Sequence, residues 1–198
     1  MVKNTITLFL LVVILFSSCV SSQKKTEDLF IYVTDSKKVK LLAPSALEKR
    51  VDAMQMFSGS FSSAKKDSIN MIAVTECTEQ KISVTMMNEL GIEIASLLYT
   101  DSGVFLKSSF LPEGIKPEYI VMDFQNVYYR PSLLAKGYKT SGLSFTIEEN
   151  DGIEKRLIMD GKTVIEVIEK KDGEILLRNY FRGYTYRLTD LNSGGEDE

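Results

Sequence analysis

Histidine and tryptophan are absent from the 198 residues, and cysteine occurs only twice. Without histidine there is no imidazole-activated nucleophile and no histidine-ligated metal site. No Gly-x-Ser-x-Gly elbow occurs either; Ser58-Gly59-Ser60 lacks the strand–turn–helix context that the elbow needs. A surplus of positive charge is also missing. The 24 basic and 27 acidic residues are interspersed and sum to −3, whereas a nucleic-acid footprint is a basic stripe on a basic domain. The expectation is a chain that is not an enzyme, carries no metal or cofactor and takes no nucleic acid.

The N-terminus is organised. Lys3 precedes an apolar run from Ile6 to Phe16, and two small residues, Ser17 and Ser18, then precede Cys19. A short positive region, an apolar stretch and a small-residue boundary make a secretory signal. The run is too short to span a membrane, which takes roughly 20 apolar residues. Residues 1–18 are therefore expected to be a signal peptide, and Cys19 the lipidation site. Residues 19–43 are read as a lipid-anchored tether, polar between Gln23 and Asp28, with short strands at 29–33 and 39–42. With Cys19 lipidated, Cys77 has no partner for an internal disulfide, even in an oxidising compartment, and is expected to be an inert small residue.

Beyond the tether, Pro44 followed by Leu47, Val51 and Met54 predicts an amphipathic helix over 44–54. The pattern then switches to period two. Runs at 55–62, 68–77, 80–87, 91–99 and 102–110 are rich in Ile, Val, Met, Thr, Phe and Tyr. Lys65-Lys66-Asp67, Cys77-Thr78-Glu79, Asn88-Glu89-Leu90-Gly91 and Thr100-Asp101-Ser102-Gly103 separate them. Links this short make consecutive strands antiparallel neighbours. Several runs are apolar on both faces: Ile69, Met71 and Ala73 alternate with Ile72 and Val74. A sheet wet on one side does not need that.

Residues 111–138 interrupt the strands. Leu111-Pro112-Glu113-Gly114 reads as a turn. Pro117 opens a helix to about Val127 with Ile120, Phe124 and Val127 on one face, and Pro131 opens a second that Gly137 ends. Five more strands follow at 142–149, 153–160, 162–169, 173–181 and 183–190. Asn150-Asp151-Gly152, Asp160-Gly161 and Lys171-Asp172-Gly173 mark hairpins between them. The acidic residues 191–198 form a tail. The fold class is mainly β (α+β): about ten antiparallel strands with helices as cover, a size at which a curled sheet has room for one small ligand.

Several stretches resemble known families. Phe16-Ser17-Ser18-Cys19 is similar to the lipobox of bacterial lipoproteins, whose cysteine receives diacylglycerol. Lys81-Ile82-Ser83-Val84-Thr85-Met86-Met87-Asn88-Glu89-Leu90-Gly91-Ile92-Glu93-Ile94 resembles the central hairpin of LolB, an outer-membrane lipoprotein that receives other lipoproteins from the periplasmic carrier LolA. Phe57-Ser58-Gly59-Ser60-Phe61 resembles the first strand of that fold. Leu111-Pro112, Asp123-Phe124-Gln125, Tyr128, Arg156, Gly161-Lys162 and the run Asn179 to Tyr186 are similar to a narrower group. These are uncharacterised LolB-like lipoproteins, some encoded beside aryl-polyene lipid biosynthesis genes.

The resemblance covers residues 44–190. It implies a LolA/LolB-like antiparallel half-barrel with helices over an apolar cavity, and acyl chains of a lipid or lipoprotein as cargo. Ile82, Val84, Ile94, Leu98, Ile120 and Phe124 are the expected cavity lining, and Leu90 at the hairpin tip the membrane-inserting residue. It further implies a site on the outer membrane, facing the periplasm, which Val20 after the anchor cysteine fits, and a LolA-like carrier as candidate partner. The residues themselves leave alternatives open. Helix and strand faces of this kind also build a solid core, Asp123 could pair with an arginine, Gln125 could satisfy strand-edge backbone, and Arg156 and Arg182 could meet an acidic headgroup or only water.

Overall fold

Alternation of buried and exposed side chains organises the chain into one large sheet. In Ile69–Cys77, Met71, Ala73, Thr75 and Cys77 are buried while Asn70 and Val74 are exposed, so side chains of one parity share a core. The computed structural model describes residues 29–61, 69–108 and 116–191. The signal peptide, Cys19, residues 19–28, the 65–67 turn, the Leu111–Gly114 turn and residues 192–198 of the acidic tail lie outside the described residues.

A two-stranded hairpin, β1 (Phe30–Tyr32) and β2 (Lys38–Lys40), stands apart from the main sheet. The main sheet holds β3 (Val51–Phe61), β4 (Ile69–Cys77), β5 (Lys81–Met87), β6 (Glu93–Thr100), β7 (Gly103–Ser108), β8 (Ser144–Asn150), β9 (Ile153–Asp160), β10 (Thr163–Lys171), β11 (Glu174–Asn179) and β12 (Tyr184–Asp190). Helices α1 (Pro117–Tyr128) and α2 (Pro131–Thr140) separate the first five of these strands from the last five. The order across the sheet is β7-β6-β5-β4-β3-β12-β11-β10-β9-β8, with every neighbouring pair antiparallel. The sheet is open, ending on β7 and β8, and the ten-strand expectation is met. Because all links are antiparallel, odd-numbered strands of the sheet finish at one rim and even-numbered strands begin there. That rim, with the 88–92, 161–162 and 180–183 turns, is called the upper rim.

Turn chemistry fixes the hairpins as the sequence suggests. Asp151 and Gly152 have φ of 50° and 75°, and Asp172 and Gly173 have 46° and 76°, the paired left-handed conformations of a type I′ turn.

Three expectations are corrected. No helix occupies 44–54; Pro44–Ala46 makes a single 3-10 turn and Val51 already begins β3. The helical spacing of Leu47, Val51 and Met54 is overridden because β3 is a central strand, bonded to β4 on one side and β12 on the other. Backbone pairing along both edges outweighs a weak local propensity. Gly137 does not end the second helix, which runs on to Thr140. Gly142, at φ 72°, makes the left-handed stop instead. Finally, residues 29–43 belong to the folded body rather than the tether: Leu29, Ile31, Val33, Val39 and Leu41 are all buried in the main core.

Candidate functional site

Helix α1 lies on the inner face of the sheet, and its polar side chains secure it there. Pro117 opens the helix, where its missing N–H costs nothing. One turn from the other end, Gln125 makes a two-point clamp on the chain before β3: Nε2 donates to the Leu42 carbonyl at 2.6 Å and Oε1 accepts from the Leu42 N–H at 3.0 Å. Tyr99 Oη, from β6, donates to the same carbonyl at 2.8 Å. Gln125 thus satisfies backbone that has no strand partner.

At the helix C-terminus Arg156 is buried and Nη1 donates to the carbonyls of Asn126 and Tyr129 at 2.7 and 3.2 Å, while Nε donates to Glu154 at 2.8 Å. A cation at the negative end of the helix satisfies its orphan carbonyls. Buried and bonded to the protein through Nε and Nη1, this guanidinium acts as a structural cation at the end of α1.

Asp123 does not pair with an arginine side chain by hydrogen bond. Both of its carboxylate oxygens accept from Tyr184 Oη, at 2.9 and 2.7 Å. Beside it, Glu166 accepts from Asn126 Nδ2 at 2.9 Å and Asn179 Nδ2 at 2.6 Å, and Tyr138 Oη donates to Asn126 Oδ1 at 2.9 Å. Burial raises the Asp123 carboxyl well above the usual range, and the Glu166 charge adds to it. Burial also raises Glu166, against the pull of its two amide donors and Arg182. Both acids thus hold their protons to higher pH in the folded chain than in the unfolded one.

The sign follows from proton linkage. Between the ordinary and the raised pKa the native state binds more protons, so stability falls as pH rises. The two carboxyls lie close enough to titrate together, so the loss belongs to the pair. Asp123→Asn and Glu166→Gln are therefore expected to flatten the decline of stability above about pH 5, followed by urea unfolding across pH. A decline as steep as in the parent chain would show that other groups carry it.

The structure separates the residues expected to line a cavity. Ile82 is fully buried, and Val84, Ile120 and Phe124 pack in or against the same core. The Phe124 ring stacks on Tyr128 at a centroid distance of 4.4 Å. Ile94 sits elsewhere, beside a β-bulge near Met86 and Met87, packed on a distinct cluster of Phe57, Met71 and Ala73. Leu98 does not line the interior. Ile82 and Val84 pair with Tyr99 and Leu97, so Leu98 has the other parity and lies on the outer face, 38% exposed, opposite Phe105.

The Phe57 cluster has partly buried neighbours on the inner face: Ile69, Met86, Ile94, Tyr186 and Leu188. Tyr184 and Tyr186 are only half-buried, yet burial drives both hydroxyls well above the ordinary tyrosine pKa. This strip carries more partly buried apolar side chains than fully buried ones, unlike the core around Ile82. Its tyrosines were legible as a motif but not as lining. Glu166 was missed, although a lone acid inside Val164-Ile165-Glu166-Val167-Ile168 is a visible signal of a buried polar contact.

Leu90 is where the sequence puts it, 83% exposed at the upper rim. Asn88 Oδ1 accepts from the N–H groups of Leu90 and Ile92, both at 3.0 Å, and Gly91 adopts φ 76°. Cys77 is fully buried, and burial pushes its thiol up to about 12, so it is chemically quiet. No helix among the described residues is long and apolar enough to cross a membrane.

A family model described as "Protein of unknown function (DUF3261)" matches residues 52–192. That is well over half of the chain, and the chain belongs to this family. No curated protein matches the sequence.

Proposed function

We propose that this member of the DUF3261 family is a membrane-anchored lipoprotein that binds acyl chains of a lipid or lipoprotein on the inner face of its half-barrel. It helps carry or insert them at the outer membrane, as the LolB-like motifs imply. The anchor in this reading is lipid on Cys19, and a LolA-like carrier is a candidate donor. The observation that carries the proposal is the apolar strip in which buried Phe57, Met71 and Ala73 are ringed by the partly buried Ile69, Met86, Ile94, Tyr186 and Leu188, inside an open, helix-covered sheet. Ligand sites are concave and mostly apolar with a few polar groups, and this strip is bordered by the hydroxyls of Tyr184 and Tyr186.

A second reading, a structural envelope lipoprotein without cargo, is favoured by the filled core around Ile82, Tyr99 and Val121, each fully buried. One measurement separates the two. Protein purified from membranes is analysed intact by mass spectrometry, reading both the modification at Cys19 and any co-purified lipid. Cargo binding predicts bound lipid in the parent and its loss in Met86→Trp, which fills the strip, with little change in unfolding temperature. Absence of lipid, with destabilisation of about 1–3 kcal/mol as for an overpacked core, would leave the structural reading standing. An N-terminus other than modified Cys19 would remove the anchor.

A further inference from the structure

The upper rim carries a second apolar tip. Tyr180 and Phe181, in the turn between β11 and β12, are 59% and 40% exposed. They are sequence-distant from Leu90 and Ile92, which are 83% and 57% exposed, yet all four lie at the same rim, because β5 and β11 both finish there.

Both tips are built in the same way. At the first, Asn88 Oδ1 accepts from two backbone N–H groups and Gly91 closes the turn at positive φ. At the second, Asn179 Oδ1 accepts from the Arg182 N–H at 2.8 Å, and Gly183, at φ 68°, returns an N–H to the Asn179 carbonyl at 2.9 Å. Asn179 itself is buried and fixed by Glu166. The Arg182 guanidinium lies 3.9 Å from the centre of the Tyr119 ring and donates to the Tyr32 carbonyl. With the flanking residues committed inward, Tyr180 and Phe181 project from a rigid turn and not from a loose loop.

The opposite rim differs in kind. Its turns present the exposed acids Glu79, Asp101, Asp151 and Asp172, against one exposed base, Lys171. At the upper rim the exposed Lys162 stands in the β9–β10 turn. Asp160 beside it is paired with Lys37 at 2.6 Å, and Glu93 faces Lys107 at 3.8 Å, which leaves Glu89 as the unpaired acid of the described sheet turns there. Leucine, isoleucine, tyrosine and phenylalanine on one rim, with acids gathered on the other, fit an interface between water and an anionic lipid surface. Aromatic rings settle at such interfaces, and a negatively charged leaflet repels the acidic rim.

We infer that Tyr180 and Phe181 are a second lipid-surface contact, so that the half-barrel docks on a bilayer through two tips and faces it with its upper rim. This deepens the proposed function and rests on its membrane attachment. The tether does not decide the orientation. From Cys19 to Leu29 it spans at most roughly 35 Å, about the length of the longest strand, β3, and so allows either rim to approach.

The absence of tryptophan makes a clean test possible. Leu90→Trp, Phe181→Trp and Glu79→Trp each place one reporter in the full-length, membrane-purified protein. Each is reconstituted in vesicles of phosphatidylethanolamine and phosphatidylglycerol, with and without brominated acyl chains. The expected result is blue-shifted, bromine-quenched emission from Leu90→Trp and Phe181→Trp, and unquenched emission from Glu79→Trp. Quenching of Leu90→Trp alone overturns the second tip and leaves the proposed function intact. Quenching of none of the three removes both tips together. Equal quenching of all three means adsorption without orientation, and also overturns the inference.

Discussion

Arg156→Met is expected to lower stability by about 3–5 kcal/mol, the cost of breaking a buried, hydrogen-bonded charge. Methionine keeps most of the volume and removes every donor. The carbonyls of Asn126 and Tyr129 then lose their partner at the end of α1, and Glu154 keeps only Lys170, at 3.1 Å. Burial works against the Glu154 charge, yet Arg156 and Lys170 together hold its carboxyl below the usual range, so the loss reaches β9 as well. For a domain of this size the unfolding midpoint should fall by roughly 10 °C. Arg156→Lys should recover part of this, since an ammonium can meet one carbonyl but not span the fork. Thermal unfolding of the two variants beside the parent decides the matter. An unchanged midpoint in Arg156→Met would show that water replaces the guanidinium and that α1 needs no such clamp.

Leu90→Glu should act on the opposite side of the ledger, leaving the fold alone and impairing delivery to membranes. The side chain is 83% exposed and the turn is held by Asn88 and Gly91, so a carboxylate there disturbs no packing. Burying one leucine in lipid contributes only about 1.5–3 kcal/mol. That is too little to hold a protein on a membrane but enough to orient one already anchored. Given the proposed function, transfer of bound lipid to liposomes should slow by about tenfold or more, the factor carried by 1.4 kcal/mol. Unfolding temperature and lipid retention should not move. Normal transfer by Leu90→Glu would mean that Leu90 is an ordinary surface leucine; loss of the fold would mean that the turn supports the sheet.

Much of the architecture was legible because its signals are local. Asn150-Asp151-Gly152 and Lys171-Asp172-Gly173 state their hairpins through residues that tolerate positive φ, and Pro117 and Pro131 state where the helices begin. The failures come from non-local forces. Val51 and Met54 fit a helix until β12 arrives from the far end of the chain to pair with β3, and no property of residues 44–54 announces that partner. Leu98 failed by parity: period two gives two faces, and only the register Ile82–Tyr99 and Val84–Leu97 says which is inside. For the candidate site, Leu90 was readable because a turn exposes its tip. The strip around Phe57 was not, because its members come from β3, β4, β5, β6 and β12 and meet only in the folded sheet. The Asp123–Tyr184 and Glu166–Asn179 contacts were hidden for the same reason, although their residue types mark them as groups that need partners when buried.

The pairing of β3 with β12 has a kinetic consequence. In that ladder Gln55 lies opposite Asp190 and Phe61 opposite Tyr184, so the middle of the sheet joins residues from near the two ends of the chain. Neither half can acquire its central neighbour until the last strand is available, and contacts this distant in sequence make folding slow. A chain read out from its N-terminus would hold β3 to β7 as a meander with β3 as an open edge, until Tyr184–Asp190 closes it. Under the proposed function, in which the chain crosses a membrane as an unfolded thread, late closure at the centre keeps it threadable until its final strand has passed.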